Sequence, residues 1–385
     1  MHAMPDAAVS AIDAHVQPQL GQGSMTPLKV AVIVVGRDPN TVKGCGGCLV
    51  LHALVDQLRL LPNISVTPAP ILVSWATKRT HRFLRDAACN GSIVIYPETV
   101  VGSCRGALLH VRWVLAPMNT VASFSTARYW GADNNLLYNY NPIHHNGFEG
   151  SVPHTSILSV LDLPRAGDGL DVARLTERPE LRRRGSVLFT IRKARLFHNM
   201  SKLAPLIARH IDLNHTEMHK NWTQARVISA MLEHEFFVSY DPYCFYDVMA
   251  AMLGAVSIVH PLMNVSKRRW VDTLLWGALG WTNRPGVAYA DGFCWQADVD
   301  ELANLSISSV EQERAGCRRE LRYARRTMGS TRAETFELKQ RAHNITVPRL
   351  VRDMRRYIAG ERVHFEGALR PREFLRDVGI KWVTA

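Results

Sequence analysis

Between Phe236 and Pro261 the chain reads FFVSYDPYCFYDVMAAMLGAVSIVHP, a strand-like run, a polar turn, an Ala/Met-rich helix and a second apolar run. One acid, Asp241, stands among Tyr240, Tyr243 and Tyr246 where strand hands over to helix. Tyrosines offer flat faces for rings and hydroxyls for sugar or phosphate oxygens. A carboxylate at such a junction either caps the helix or faces a ligand. Gly254 then permits a tight entry into SIVHP, which delivers His260 to the same rim. Arg192 and Lys193 follow SVLFTI directly. They form either a solvated basic turn or a pair of cations that meets the growing negative charge of a departing diphosphate. Lys267 is a further cation at a helix start, and its neighbour Ser266 carries a hydroxyl that also suits a cap.

A second group lies nearer the N-terminus. Gly44, Gly46 and Gly47 make a glycine-rich turn between a strand and a helix. Glu98, behind Pro97 at a strand exit, and His52, within the helix, are the candidates for a general base. Arg105 and Arg112 suit an anionic acceptor or pairing with surface acids. The adjacent histidines of NPIHHNG (141–147) point apart on an extended chain, so a metal site is not expected there.

These residues need elements to hold them. LKVAVIVVG (28–36) is a strand buried on both faces, and CLVLHALVDQLRLL (48–61) has apolar residues at helical spacing. Further strands are expected at 70–76, 91–98 and 134–142, with helices near 78–87 and at 104–116. A Pro-, Gly- and charge-rich stretch (166–185) reads as a linker. Beyond it come a strand at 186–194, helices at 200–211 and 223–235, a strand at 236–241, a helix at 244–253 and a strand at 255–261. Helical material follows at 267–279 and 309–360. The expected fold is α/β: two doubly wound, Rossmann-like domains (28–165 and 186–308) facing a cleft, flanked by an N-terminal tail (1–27) and a basic helical extension (309–385). Each polar cluster falls at an expected strand exit, where open α/β sheets bind ligands.

Length and composition agree with this. A chain of 385 residues favours two domains, and 47% apolar residues exclude global disorder. The net charge of +12 suits a polyanionic ligand, nucleic acid or an acidic membrane surface. No helix-turn-helix, zinc-finger or RNP-type pattern supports the nucleic-acid alternative. The Arg-rich runs at 178–185 and 318–332 read mainly as solvated faces. No run approaches the ~20 apolar residues of a membrane span, and the N-terminal stretch has no apolar signal core. Seven cysteines without framework spacing favour a reducing compartment. The expected location is therefore cytoplasmic, with loose attachment to an anionic membrane as an option. Eight Asn-x-Ser/Thr triplets then count as chance.

The stretch SYDPYCFYDVMAAMLGAVSIVHP resembles the donor-binding segment of GT-B glycosyltransferases, two-Rossmann-domain enzymes that use nucleotide sugars. Retaining members often carry E-x7-E ahead of a small-residue helix and a Gly. Aligning that Gly with Gly254 puts Asp241 at the first Glu and Met249 at the second, which commonly holds the nucleotide ribose. GCGGCLVLHAL (44–54), IVIYPETVVG (93–102) and GVAYADG (286–292) are similar to further parts of such enzymes. The resemblance implies a nucleotide-sugar donor held by Arg192, Lys193, Tyr240, Asp241, Tyr243, His260, Ser266 and Lys267. It also implies a glycan or lipid-linked acceptor near Gly44, Gly46, Gly47 and Arg105, and no required metal or other cofactor. A sugar- or nucleotide-binding protein without turnover is the neighbouring possibility, because Met249 replaces an acid.

Overall fold

A computed structural model describes residues 27–35, 46–71, 89–97, 104, 106–115, 135–139, 156–158, 183–191, 194, 198–219, 221–272, 283–298 and 308–361. Eleven strands among them form two separate sheets, parallel throughout.

The first sheet contains β1 (Leu28–Val35), β2 (Ile64–Ile71), β3 (Ile93–Pro97), β4 (Leu109–Val114), β5 (Asn135–Asn139) and β6 (Ser156–Ile157) in the order β2-β1-β3-β4-β5-β6. Helix α1 (Gly46–Arg59) connects β1 to β2 and packs Val50, Leu51, Leu54, Val55 and Leu58 against it. The second sheet contains β7 (Arg183–Thr190), β8 (Thr216–Glu217), β9 (His234–Ser239), β10 (Val256–Val259) and β11 (Val287–Tyr289) in the order β11-β10-β9-β7-β8. Its helices are α2 (Met200–Asp212), α3 (Gln224–Glu233), α4 (Phe245–Met252) and α5 (Lys267–Asp272).

Both sheets share one winding. The second strand lies on one side of the first, and the third, fourth and fifth lie on the other. Consecutive crossovers therefore part company between the first and third strands, at β1/β3 and β7/β9. Such switch points open a crevice beyond the carboxyl ends of the strands. The expectation of two doubly wound parallel sheets is met.

Several elements differ from expectation: β2 runs from Ile64 to Ile71, against an expected strand that starts at residue 70, and β6, β8 and β11 lie outside the expected strands. Residues 104–116, expected as helix, contain strand β4. The run LLHVRWVL is apolar almost throughout because β4 is buried on both faces, and such a run has no period to tell strand from helix. Strand β7 begins at Arg183, within the expected linker. Arg112, expected near an acceptor, is fully buried in β4 with its guanidinium 4.0 Å from the Tyr96 ring centre. Burial lowers its pKa to about 10, so the charge stays.

Within the expected basic extension the described residues form one long helix, α6 (Ser308–Ile358), and it belongs to both halves of the molecule. Leu321 and Ala324 join the core under β7, β9 and β10, while Leu338 and Ala342 join that of α4 and Trp270. Val347, Leu350, Val351 and Met354 join the core of the first sheet, where Tyr138 donates a hydrogen bond of 2.8 Å to Asp353. Arg318, Arg319, Arg322, Arg325 and Arg326 lie on its exposed side, a solvated basic face. Pro348 stands inside the helix, where it removes the backbone bond to the Asn344 carbonyl.

Cysteine pairing is a further correction. Disulfides join Cys89 to Cys104 and Cys294 to Cys317, with Cα–Cα distances of 6.0 and 5.3 Å. The first closes the segment around β3, and the second ties the exit of β11 to α6. The spacing hid them because each pair is made by strand pairing and helix docking instead of by a small repeated framework.

Gly286 shows how closely α6 approaches. Its φ is +69°, and an added Cβ would stand 2.5 Å from Thr331 Oγ1 and 2.8 Å from Ala251 Cβ. Its N–H donates to Thr327 Oγ1 at 2.9 Å. Gly286→Ala should therefore destabilise the fold by about 2 kcal/mol or more, read as a lowered denaturation midpoint.

Candidate functional site

The parallel ladder of the second sheet sets the site. Thr190, Ser239, Val259 and Tyr289 stand in register across β7, β9, β10 and β11. One residue further on, the Tyr240 N–H donates to Thr190, the His260 N–H to Ser239 and the Ala290 N–H to Val259. The strands thus end level, and the following residues, Asp241 and Asp291 among them, emerge along one edge.

Asp241 is buried. Its Oδ1 accepts from the Tyr243 N–H at 3.1 Å, closing a turn, while Ser239 Oγ bridges its backbone. The Trp270 indole donates to the Pro242 carbonyl at 2.6 Å and fixes the turn from behind. Helix α4 is capped one turn later, at Cys244, without a side-chain bond. Asp241 therefore shapes the strand exit and does not cap the helix.

His260 has a defined tautomer. Its Nδ1 accepts from the Gly292 N–H at 3.2 Å and lies 3.6 Å from Asp291 Oδ2, so a neutral ring carries its proton on Nε2. The His198 ring lies 5.4 Å away, centre to centre. Among the described residues, the buried His198 Nε2 and Thr190 Oγ1 have no hydrogen-bond partner. Other buried side-chain atoms, Ser257 Oγ in β10 and Asp247 Oδ1 in α4 among them, are open as well, so it is the place of these two beside the β7/β9 switch point that makes them candidates for a bond to a ligand or water. No group of three or more His, Cys, Asp or Glu among the described residues has the arrangement of a metal site.

The other expected residues divide. Tyr240 is not a platform for a ligand: it is fully buried, with its hydroxyl 2.8 Å from His210 Nε2. Tyr246 is buried too and donates to Gln224. Tyr243 is half-buried beside α5. Lys267 is held by Glu320 of α6 at 2.7 Å and lies over the Tyr323 ring, so its charge is already matched. Ser266 accepts from the Arg269 N–H at 3.3 Å, the cap of α5. Met249 is buried and its sulfur accepts from Gln224, so this position faces the core and offers nothing to a ribose. Gly46 and Gly47 open α1, where Gly47 packs against Leu115. His52 is half-buried on the same helix. Glu98 follows the last residue of β3. Glu98, Arg192, Lys193, Gly44 and Arg105 lie outside the described residues.

Sequence reasoning passed over four features. Asp247, inside α4, is fully buried against Arg284 at 2.9 Å. Burial raises its pKa to about 7, opposed by Arg284 and reinforced by Asp241. His198 directly precedes the Asn199 cap of α2, and a histidine at the first crossover of a doubly wound sheet is the signal that could have found it. Asp291 was visible in GVAYADG but offered no spacing.

The fourth is a chain of rings. His210 lies between Phe189 and Phe293, with centre distances of 4.4 and 4.3 Å. Its Nδ1 is 2.7 Å from Nδ1 of His215. Burial, then His215 and Arg209, lower its pKa to about 3. Burial likewise lowers those of His198, His215 and His260.

No protein-family model matches this chain, and no curated protein is recognisably similar to it in sequence.

The histidines have a consequence in acid. An unfolded chain protonates His210 near pH 6.5, while the fold resists until about pH 3. Stability is therefore full above pH 6.5 and declines as pH falls through that window. His210 alone should account for about 2 kcal/mol between pH 6.5 and 5. His210→Gln, whose amide can still bond both neighbours, should show a shallower loss in urea unfolding at pH 7 and pH 5.

Proposed function

We propose that this protein is a GT-B-type glycosyltransferase, moving a sugar from a nucleotide-sugar donor to a glycan or lipid-linked acceptor. The observation that carries the reading is the row of Thr190, His198, Asp241, His260 and Asp291 at the switch point of one of two like-wound parallel sheets. Two such sheets in one chain supply one crevice for a donor and one for an acceptor.

In this reading the donor nucleotide lies across the β7/β9 exits. Asp241 and the open atoms of His198 and Thr190 meet hydroxyls of the donor. Arg192 and Lys193, which follow β7, neutralise its diphosphate as the sugar–oxygen bond breaks. The sugar passes through an oxocarbenium-like state. Glu98, beyond β3, or His52 takes the acceptor proton if the reaction inverts. Lys267, matched by Glu320, has no part in this scheme.

A binder without turnover is favoured by one observation, the buried Met249 in place of a second acid. Thermal denaturation against nucleoside diphosphates and their sugars, followed by product detection, separates the two. A rise in midpoint with one nucleotide class, with sugar released or transferred, is expected. A rise without product would favour the binder, and no response across the panel would sink both.

Asp241→Asn keeps the acceptor for the Tyr243 N–H and loses the charge. It should weaken donor binding tenfold or more, as read by titration calorimetry.

A further inference from the structure

We propose that this chain is N-glycosylated and that it matures in the oxidising lumen of a secretory pathway. Two independent features carry the inference, the acceptor triplets and the disulfides, and neither rests on the sugar-transfer reading.

The number of triplets comes first. The chain has 16 asparagines, and serine and threonine together make 41 of its 385 residues. Asparagines placed without regard to their neighbours would form about two Asn-x-Ser/Thr triplets at that frequency. There are eight. Local structure explains a few of the hydroxyls: Thr223 caps α3 and Ser266 caps α5. Ser201 donates to the Asn199 capping oxygen at 2.8 Å, and Thr216 Oγ1 lies 3.0 Å from His234 Nε2. Setting all four of these triplets aside still leaves about twice the expected number.

Position comes second. A hydrophilic glycan cannot be enclosed in a core, so every used asparagine must reach the surface. Seven of the eight lie among the described residues, and all seven are exposed. Asn63, Asn214 and Asn264 stand on turns with φ of 58°, 55° and 63°. Asn90 precedes β3, Asn199 begins α2 and Asn221 precedes α3, while Asn344 lies on the outer face of α6. The left-handed turns explain three of the asparagines but not the hydroxyls two residues on.

The disulfides supply the compartment. Cys89, Cys104, Cys294 and Cys317 are buried and paired across distinct elements, a state that persists outside reducing cytosol. The same lumen holds the machinery that modifies asparagine. This inference replaces the cytoplasmic expectation.

The test uses the protein isolated from its own cells. Peptides prepared without reductant are treated with peptide N-glycosidase in heavy-oxygen water, which turns each formerly glycosylated asparagine into labelled aspartate. Label at three or more of the seven positions, with the Cys89–Cys104 and Cys294–Cys317 peptides linked, is the expected result. Label at two or fewer, or free thiols at both pairs, overturns the proposal. Activity on nucleotide sugars does not enter either readout.

Discussion

The parallel hydrogen-bond register of β7, β9, β10 and β11 is the constraint on which the rest of the second half depends. Because Thr190, Ser239, Val259 and Tyr289 are level, every chain segment leaving the sheet does so along one line. A slip of one residue would turn the Tyr240 ring outward and bring the Asp241 carboxyl to the face where Tyr240 now meets His210. The ring chain behind the sheet and the acid at its edge are two results of one alignment.

That alignment also explains why polar groups accumulate there at all. The strands themselves are buried on both faces and tolerate few polar side chains. At the exits the backbone N–H groups still find partners in the neighbouring strand. The side chains beyond them are free of the sheet and can be chosen for chemistry. Asp247, buried and paired with Arg284, lies in the helix behind the β9 exit, and the nearby Asp241 carboxyl is one of the groups that raise the Asp247 pKa.

Much of the fold was legible because its strands are short apolar runs cut by Gly, Pro and Asn. VAVIVV and SVLFT could be nothing else, and α2 and α4 follow from their spacing. β4 was not legible, since a strand enclosed on both sides resembles a buried helix in composition. At the site, the position of Asp241 at a strand exit could be read, but the direction of Tyr240 could not. That direction is set by His210, thirty residues away in the chain and known only through packing. Lys267 failed for a similar reason: its partner, Glu320, comes from a helix whose docking no local pattern reveals.

Helix α6 has a mechanical meaning. At about 1.5 Å per residue it is a rod of roughly 75 Å, anchored in the second-sheet cores up to Ile345 and in the first-sheet core from Val347 onward. Any swing of one half against the other must bend or twist this rod, since neither half can release it without exposing leucines and valines. The cheapest place to flex is the crossing itself, where Pro348 has already deleted a rung beside Ile345 and Val347. The two halves are coupled as by a crankshaft, with a hinge written into the shaft that both of these cores grip.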